Sequence, residues 1–165
     1  MFPSFLPRRA GSGAAPPAGA LRGLLVAQRV ALDVPVTTRS AALAHAARLL
    51  DGVAGLTFQD VLDALVAREA LGTTALGSGC GIPHARMDAL ETPVAAFVRT
   101  AAPVPFDAPD GRGVRELFVL LVPHDADETH LEMLAAAVER FADSKFRQAV
   151  RECTAPCEIV ALFDR

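Results

Sequence analysis

Hydrophobic residues recur at helical spacing in three stretches of the chain. The first covers residues 40–50 and ends at Asp51–Gly52, a pair that commonly follows a helix. The second begins after Thr57, whose hydroxyl is a typical helix N-cap. The third begins after Asp127 or Thr129, both of which are suitable N-caps. These patterns predict three amphipathic helices separated by polar or glycine-containing segments.

Runs of apolar residues predict β-strands before and between these helices. A short edge strand is predicted over Val30–Val34, because Pro35 follows it and cannot donate to a sheet ladder. Longer strands are predicted over residues 94–100 and 116–122, joined through an Asp–Gly turn within residues 106–111. The second of these strands is so apolar that we expect both of its faces to be buried.

The C-terminal quarter of the chain adds helical segments. The sequence predicts a helix over residues 144–152 and a last helix that begins at Pro156 and reaches Phe163, although residues 159–163 alone fit a strand equally well. Helices that precede, separate and follow buried strands are typical of a layered α/β sandwich.

Composition limits the protein class. The chain has 165 residues, of which 52% are hydrophobic and 21% are charged, as in a single compact domain. Its three cysteines lack paired Cys-x-x-Cys spacing, which argues against a disulfide framework or a zinc site. No apolar run approaches the roughly 20 residues that a membrane-spanning helix needs. We therefore expect a cytoplasmic protein without membrane insertion.

Charge is distributed unevenly between the start and the remainder of the chain. All charged residues before Asp33 are arginines, so the first 32 residues carry +4 and the rest carry −7. A basic, acid-free start is compatible with a targeting peptide or a nucleic-acid-binding arm. Prolines such as Pro16 and Pro17 instead favour a disordered tail. We predict a tail over residues 1–24, one domain over residues 25–165, and no nucleic-acid partner.

The segment Gly77–His84 has the composition of a functional loop. It contains three glycines within five residues, followed by Pro83 and then His84. This composition excludes a helix or a long regular strand and predicts a shaped loop that presents an imidazole. His130 lies in the first turn of the third predicted helix, directly after the buried strand. Because functional groups collect at strand ends in α/β folds, we expect His84 and His130 at one edge of the sheet.

Two other interpretations of these residues stay open at this point. The glycines could form a dinucleotide-binding loop, but their spacing is wrong and Pro83 interrupts the helix that should follow. His84, His124 and His130 could instead hold the metal of a hydrolase, which requires the three side chains to converge. A stoichiometric bound metal would support the second interpretation.

A set of five separated signatures narrows the choice. In chain order they are Arg68–Thr74, Gly81–His84, Pro105–Asp107, Leu120–Pro123 and Thr129–Leu131. Together they resemble the EIIA domains of the fructose, mannitol and nitrogen-regulatory branch of the phosphoenolpyruvate-dependent phosphotransferase system. The resemblance runs from about Leu25 to the C-terminus and includes an arginine sixteen residues before the Pro–His pair. The chain departs from the family pattern at Cys80–Gly81.

The resemblance implies a fold and a chemistry. The fold is a single-domain layered α/β sandwich, a mixed sheet with helices on both faces. His84 corresponds to the family's phosphoryl acceptor, and Arg68 and His130 correspond to residues that stabilise the phosphoryl group. No metal or other cofactor is implied, and the activity is phosphoryl transfer through a transient phosphohistidine rather than independent turnover.

The resemblance also implies partners. The phosphoryl donor would be a small phosphohistidine carrier of the HPr or NPr type. We favour a regulatory protein that signals to targets such as a transporter or a sensor kinase, because the chain has no attached EIIB, membrane or carrier domain. The alternative is a sugar-transport EIIA that passes phosphate to a fructose- or mannitol-type EIIB. A family member that only binds partners would be expected to lack the nucleophile, whereas His84 is present.

Overall fold

The computed structural model describes residues 15–165. Residues 1–14 of the predicted tail lie outside the described residues. Residues 18–24 form successive turns, in which Leu21 is buried and the N–H of Gly23 donates to Asp164 Oδ1 at 2.9 Å. No helix among residues 15–165 is both long enough and apolar enough to cross a membrane.

Five helices and six strands make up the described fold. The helices are α1 (Arg39–Leu50), α2 (Phe58–Ala70), α3 (Glu128–Ala142), α4 (Ser144–Glu152) and α5 (Pro156–Phe163). The strands are β1 (Val30–Val34), β2 (Ala75–Gly77), β3 (Cys80–Gly81), β4 (His84–Met87), β5 (Val94–Val104) and β6 (Val114–Pro123). Single 3-10 turns at Ala27–Arg29 and Val53–Gly55 complete the set.

The strands form one mixed sheet in the order β1-β5-β6-β3-β2. The long strands β5 and β6 are antiparallel, whereas β1 runs parallel to β5 at the edge. On its other side β6 pairs in parallel first with β3 and then with β4. The register does not slip between them, since Gly81 lies opposite Leu117 and His84 lies opposite Leu120. Pro83 interrupts this ladder because it has no N–H, yet its carbonyl still accepts from Leu120 N at 3.0 Å.

Helices cover both faces of the sheet, as the resemblance implied. Helices α1 and α2 pack on one face around Leu43 and Leu65, whereas α3, α4 and α5 pack on the other. Strand β6 is buried from Glu116 to Leu121, because its side chains alternate between the two cores. With no Trp or Tyr in the sequence, phenylalanines fill the second core, and the rings of Phe118 and Phe163 stack 4.8 Å apart.

Most predicted elements are confirmed. The edge strand and the helix at residues 144–152 have the expected bounds, and Asp127 rather than Thr129 is the N-cap of α3. Residues 156–163 are helical, because Pro156 suits a first turn and Glu158 accepts from the N–H of Ala155 at 2.9 Å. The sequence did not predict the short strands β2, β3 and β4, which lie within or directly after the glycine-rich segment.

Candidate functional site

The tip of the glycine-rich segment is a tight β-hairpin turn. Ser78 lies between β2 and β3 with a positive φ of 56°. Its N–H donates to Asp110 Oδ2 at 2.8 Å, and its carbonyl accepts from Arg151 Nη2 at 2.6 Å. Both backbone groups of the tip are therefore held by side chains from other parts of the fold.

His84 follows this hairpin as the first residue of β4. Its Nδ1 lies 2.8 Å from the carbonyl oxygen of Ile82. A carbonyl only accepts, so Nδ1 carries the proton and Nε2 has the free lone pair in the neutral ring. Burial lowers the pKa of His84, opposed by the bond to Ile82, while the positive charge of Arg68 lowers it further. At neutral pH the ring is therefore uncharged, and Nε2 is the ring nitrogen that has the lone pair a nucleophile needs.

Arg68 lies in the last turn of α2, which packs against β4. Its Nη1 donates to the carbonyl of Gly72 at 2.9 Å, so it also closes the C-terminal end of the helix. Its positive charge lowers the pKa of His84, in addition to the larger effect of burial. The packing of α2 against β4 therefore carries Arg68 to the strand that begins with His84.

His130 occupies the third position of α3, immediately beyond the C-terminal end of β6. Its Nδ1 accepts from the backbone N–H of Asp127 at 3.0 Å, while the Asp127 carboxylate accepts from Thr129 N. Because Nδ1 accepts, the neutral ring carries its proton on Nε2, where it can donate to an anion. Among residues 15–165, no hydrogen bond joins His130 to His84, and the two rings are held by separate elements, α3 and β4.

Arg86 ties these two elements together. It lies two residues after His84 on β4, and its Nη1 donates to the carbonyls of His124 at 2.8 Å and Ala126 at 3.3 Å. The loop that leads from β6 into the His130 helix is therefore fastened to the strand that begins with His84.

The side chains of the metal-hydrolase alternative do not converge. The imidazole of His124 is exposed and pairs with Asp88, with 3.2 Å between Nδ1 and the carboxylate. Within the described part of the chain, no three His, Cys, Asp or Glu side chains are grouped as metal ligands.

Cys80 is a buried residue of the hairpin strand β3, and its thiol is not accessible. Burial, together with the negative charge of Glu116, raises its pKa to about 12. A thiol that stays protonated is a poor nucleophile, so Cys80 serves as a small packing residue.

Sequence reasoning missed one buried pair in this region, Glu69 and Thr74. Both are buried, and the Glu69 carboxylate accepts from the N–H and the hydroxyl of Thr74. A glutamate next to Arg68 at a helix end is an ordinary surface pattern in sequence, and only the fold reveals its burial.

Comparison with known proteins gives matches over most of the chain. The family model described as "Phosphoenolpyruvate-dependent sugar phosphotransferase system, EIIA 2" matches residues 24–165. A nitrogen regulatory protein of Pseudomonas aeruginosa is 40% identical over 124 residues, which cover 73% of this chain and 80% of that protein. A fructose-specific EIIA component of Haloferax volcanii is 36% identical, over 74% of this chain and 80% of that protein. The crystal structure of the nitrogen regulatory protein IIA-Ntr from Neisseria meningitidis superposes with a TM-score of 0.82 at 36% identity, covering 85% of this chain and 96% of that one.

Proposed function

The chain belongs to the EIIA type 2 family of the phosphoenolpyruvate-dependent sugar phosphotransferase system, and we propose that it is a regulatory phosphocarrier that accepts a phosphoryl group on His84. The observation that carries this proposal is the orientation of the His84 ring. Its Nδ1–H is committed to the Ile82 carbonyl, so Nε2 is left as the nucleophilic atom of a ring that burial and the charge of Arg68 keep neutral by lowering its pKa. Residues 25–165 form the phosphoryl-accepting domain.

The transfer step follows from these positions. Nε2 of His84 attacks the phosphorus of a phosphohistidine on the carrier, and the carrier's ring nitrogen leaves with the electrons of the broken N–P bond. Charge on the phosphoryl oxygens in this loose transition state needs positioned positive charge and donors. Arg68 supplies a guanidinium, and His130 supplies an Nε2–H because its Nδ1 is occupied. Both groups also stabilise the phosphohistidine once it has formed.

Two relatives support different downstream partners. The similarity to nitrogen regulatory proteins supports a role in which the phosphorylation state is reported to a regulatory target such as a transporter or a sensor kinase. The similarity to a fructose-specific EIIA supports the alternative, in which phosphate passes to an EIIB domain. The proposed donor in both cases is a small HPr- or NPr-like carrier. We place this exchange in the cytoplasm, where phosphoenolpyruvate is produced.

Labelling from phosphoenolpyruvate tests the acceptor. The chain is incubated with labelled phosphoenolpyruvate, the general phosphotransferase enzyme and the carrier protein. We expect one acid-labile, base-stable phosphoryl group in the wild type and none in His84→Ala. His124→Ala is the matched control, because His124 is an exposed histidine outside the site, and it should be labelled like the wild type. Persistent labelling of His84→Ala would refute the assignment.

A second incubation separates the two downstream roles. The labelled chain is mixed with a fructose-type EIIB domain, and the distribution of label is followed with time. Retention of the label on this chain supports the regulatory role. Rapid transfer to EIIB, at a rate comparable to that of a fructose-specific EIIA, would favour sugar transport instead.

A further inference from the structure

Glu69 is a buried carboxylate to which the proposed chemistry gives no role. It lies in the last turn of α2 and its side chain is only 4% exposed. Burial of a charged carboxylate is costly unless hydrogen bonds compensate it. Thr74 provides that compensation, because its N–H and its hydroxyl donate to the two carboxylate oxygens at 3.1 and 2.6 Å. The guanidinium of Arg39 approaches the same carboxylate at 4.0 Å.

The same threonine is the first link of a path to the catalytic imidazole. The carbonyl of Thr74 accepts from the N–H of Ile82 at 3.0 Å. The carbonyl of Ile82 in turn accepts from Nδ1 of His84 at 2.8 Å. Pro83 lies between Ile82 and His84 and its own ring fixes the backbone dihedral φ. Little conformational freedom therefore remains between the anchored Ile82 and the imidazole of His84.

We propose that Glu69 is a positioning residue that, through Thr74 and Ile82, holds His84 in the Nδ1–H tautomer with Nε2 directed toward the incoming phosphorus. This proposal rests on the proposed role of His84 as phosphoryl acceptor. Glu69 itself is too buried to contact a docked carrier protein. Its loss should therefore lower the rate of the transfer step and leave the affinity for the carrier unchanged.

The tautomer can be measured without any phosphoryl donor. Long-range ¹H–¹⁵N correlation spectra of the full chain near neutral pH distinguish a protonated from an unprotonated ring nitrogen. In the wild type we expect the His84 Nε2 resonance in the range of an unprotonated nitrogen. In Glu69→Gln and in Thr74→Val we expect it to move upfield, toward the average of two exchanging tautomers. Glu139→Gln, at an exposed glutamate of α3, should leave it in place.

The pair Thr74→Val and Thr74→Ser separates hydrogen bonding from packing. Valine keeps the shape of threonine without the hydroxyl, whereas serine keeps the hydroxyl without the methyl group. We expect Thr74→Ser to keep the wild-type tautomer and Thr74→Val to lose it. Equal spectra for the two variants, whether both are wild-type or both are altered, would overturn the proposal.

Transfer kinetics give an independent measurement. Misplacement of a reacting group by a fraction of an ångström is enough to reduce kcat by about 10-fold, and we expect that loss in Glu69→Gln and Thr74→Val. KM for the carrier should stay within twofold of the wild-type value in both. A rise in KM with unchanged kcat would instead assign Glu69 to docking.

The two proposals fail in different ways. If His84→Ala is still labelled, the acceptor is wrong, but the tautomer measurements on His84 keep their meaning. If Glu69→Gln and Thr74→Val keep both the wild-type tautomer and the wild-type kcat, the positioning role is wrong, while His84 stays the proposed acceptor.

Discussion

At the scale of single residues, burial and two charges of opposite sign act on the pKa of His84. Arg68 lowers the pKa of His84, adding to the larger effect of burial, and Glu69 raises it. In the proposed mechanism the neutral ring is the nucleophile, so phosphoryl acceptance should be independent of pH at and above neutrality and should fall as the pH drops through the pKa of the folded protein. Because burial lowers this pKa, the fall should occur below the value of about 6.5 that is typical of a free histidine.

Variants that remove one of the two charges test the direction of each effect on the pKa of His84, which is measured by NMR titration. Arg68→Gln should raise the pKa of His84, and Glu69→Gln should lower it. The midpoint of the normalised pH–rate profile should move in the same direction in each variant, although Arg68→Gln also loses phosphoryl stabilisation and is slower overall. His124→Ala should leave the midpoint unchanged. A downward shift in Arg68→Gln would contradict the electrostatic account of the site.

The limit of sequence reasoning is visible at this same scale. Arg68, His84 and His130 could be proposed as site residues because each belongs to a short motif in which residue type and spacing are informative. Glu69 and Thr74 lie in the same segment, but their importance depends on burial and on a path of backbone hydrogen bonds. Those properties arise only when α2, the hairpin and β6 come together.

At the scale of elements, the turn of the glycine-rich hairpin requires the left-handed backbone conformation at Gly79. Gly79 has a φ of +81°, and a Cβ at this position would lie 3.2 Å from Nη2 of Arg151. Alanine there should cost about 1–2 kcal/mol for the left-handed conformation alone. It should cost more in total, because the Nη2 of Arg151 would have to shift by a few tenths of an ångström, which weakens its bonds to Ser78 and Glu116. Thermal unfolding of Gly79→Ala measures the sum.

Gly111→Ala is a matched control for that variant. Gly111 has a similar φ of +71°, but a Cβ there would have no heavy atom within 4 Å. The two variants share the conformational cost, so the difference between their Tm values reports the contact with Arg151. Equal losses of stability would show that Arg151 moves aside without penalty.

Elements differ in how well local sequence predicts them. Helices α1 and α2 could be predicted because the caps Thr38 and Thr57 and the apolar period are local signals. The two to four residues of β2, β3 and β4 are too few to show a period, and two of these strands exist because β6 offers a partner edge. The helix–strand ambiguity at residues 159–163 has a similar cause, since these five apolar residues fit either structure when they are considered without Pro156 and Glu158.

At the scale of the whole molecule, the side chain of Arg151 joins helix α4 to strand β6 and to the hairpin that leads into the site. The side chain of Glu116 on β6 is 1% exposed, and Nε of Arg151 on α4 lies 3.2 Å from its carboxylate. Arg151 also donates to the carbonyl of Ser78, so a single guanidinium links α4 to the central strand and to the hairpin tip. These three parts are far apart in sequence, and their contact depends on the complete sheet.

Removal of Arg151 should therefore destabilise the entire fold rather than one helix. In Arg151→Met the buried Glu116 carboxylate loses its partner, a change that typically costs about 3–5 kcal/mol. We expect the lower end of that range, because the Arg151 side chain is 44% exposed and water can reach part of the site. Urea unfolding should show a lower midpoint with an unchanged m-value. Arg112→Met, at an exposed arginine, should have a urea midpoint close to that of the wild type.

The double variant Glu116→Gln/Arg151→Met removes the unpaired charge and should recover part of the lost stability. If it is instead as unstable as Arg151→Met, the penalty arises from the lost bond to Ser78, and the contribution of Arg151 lies in fixing the hairpin.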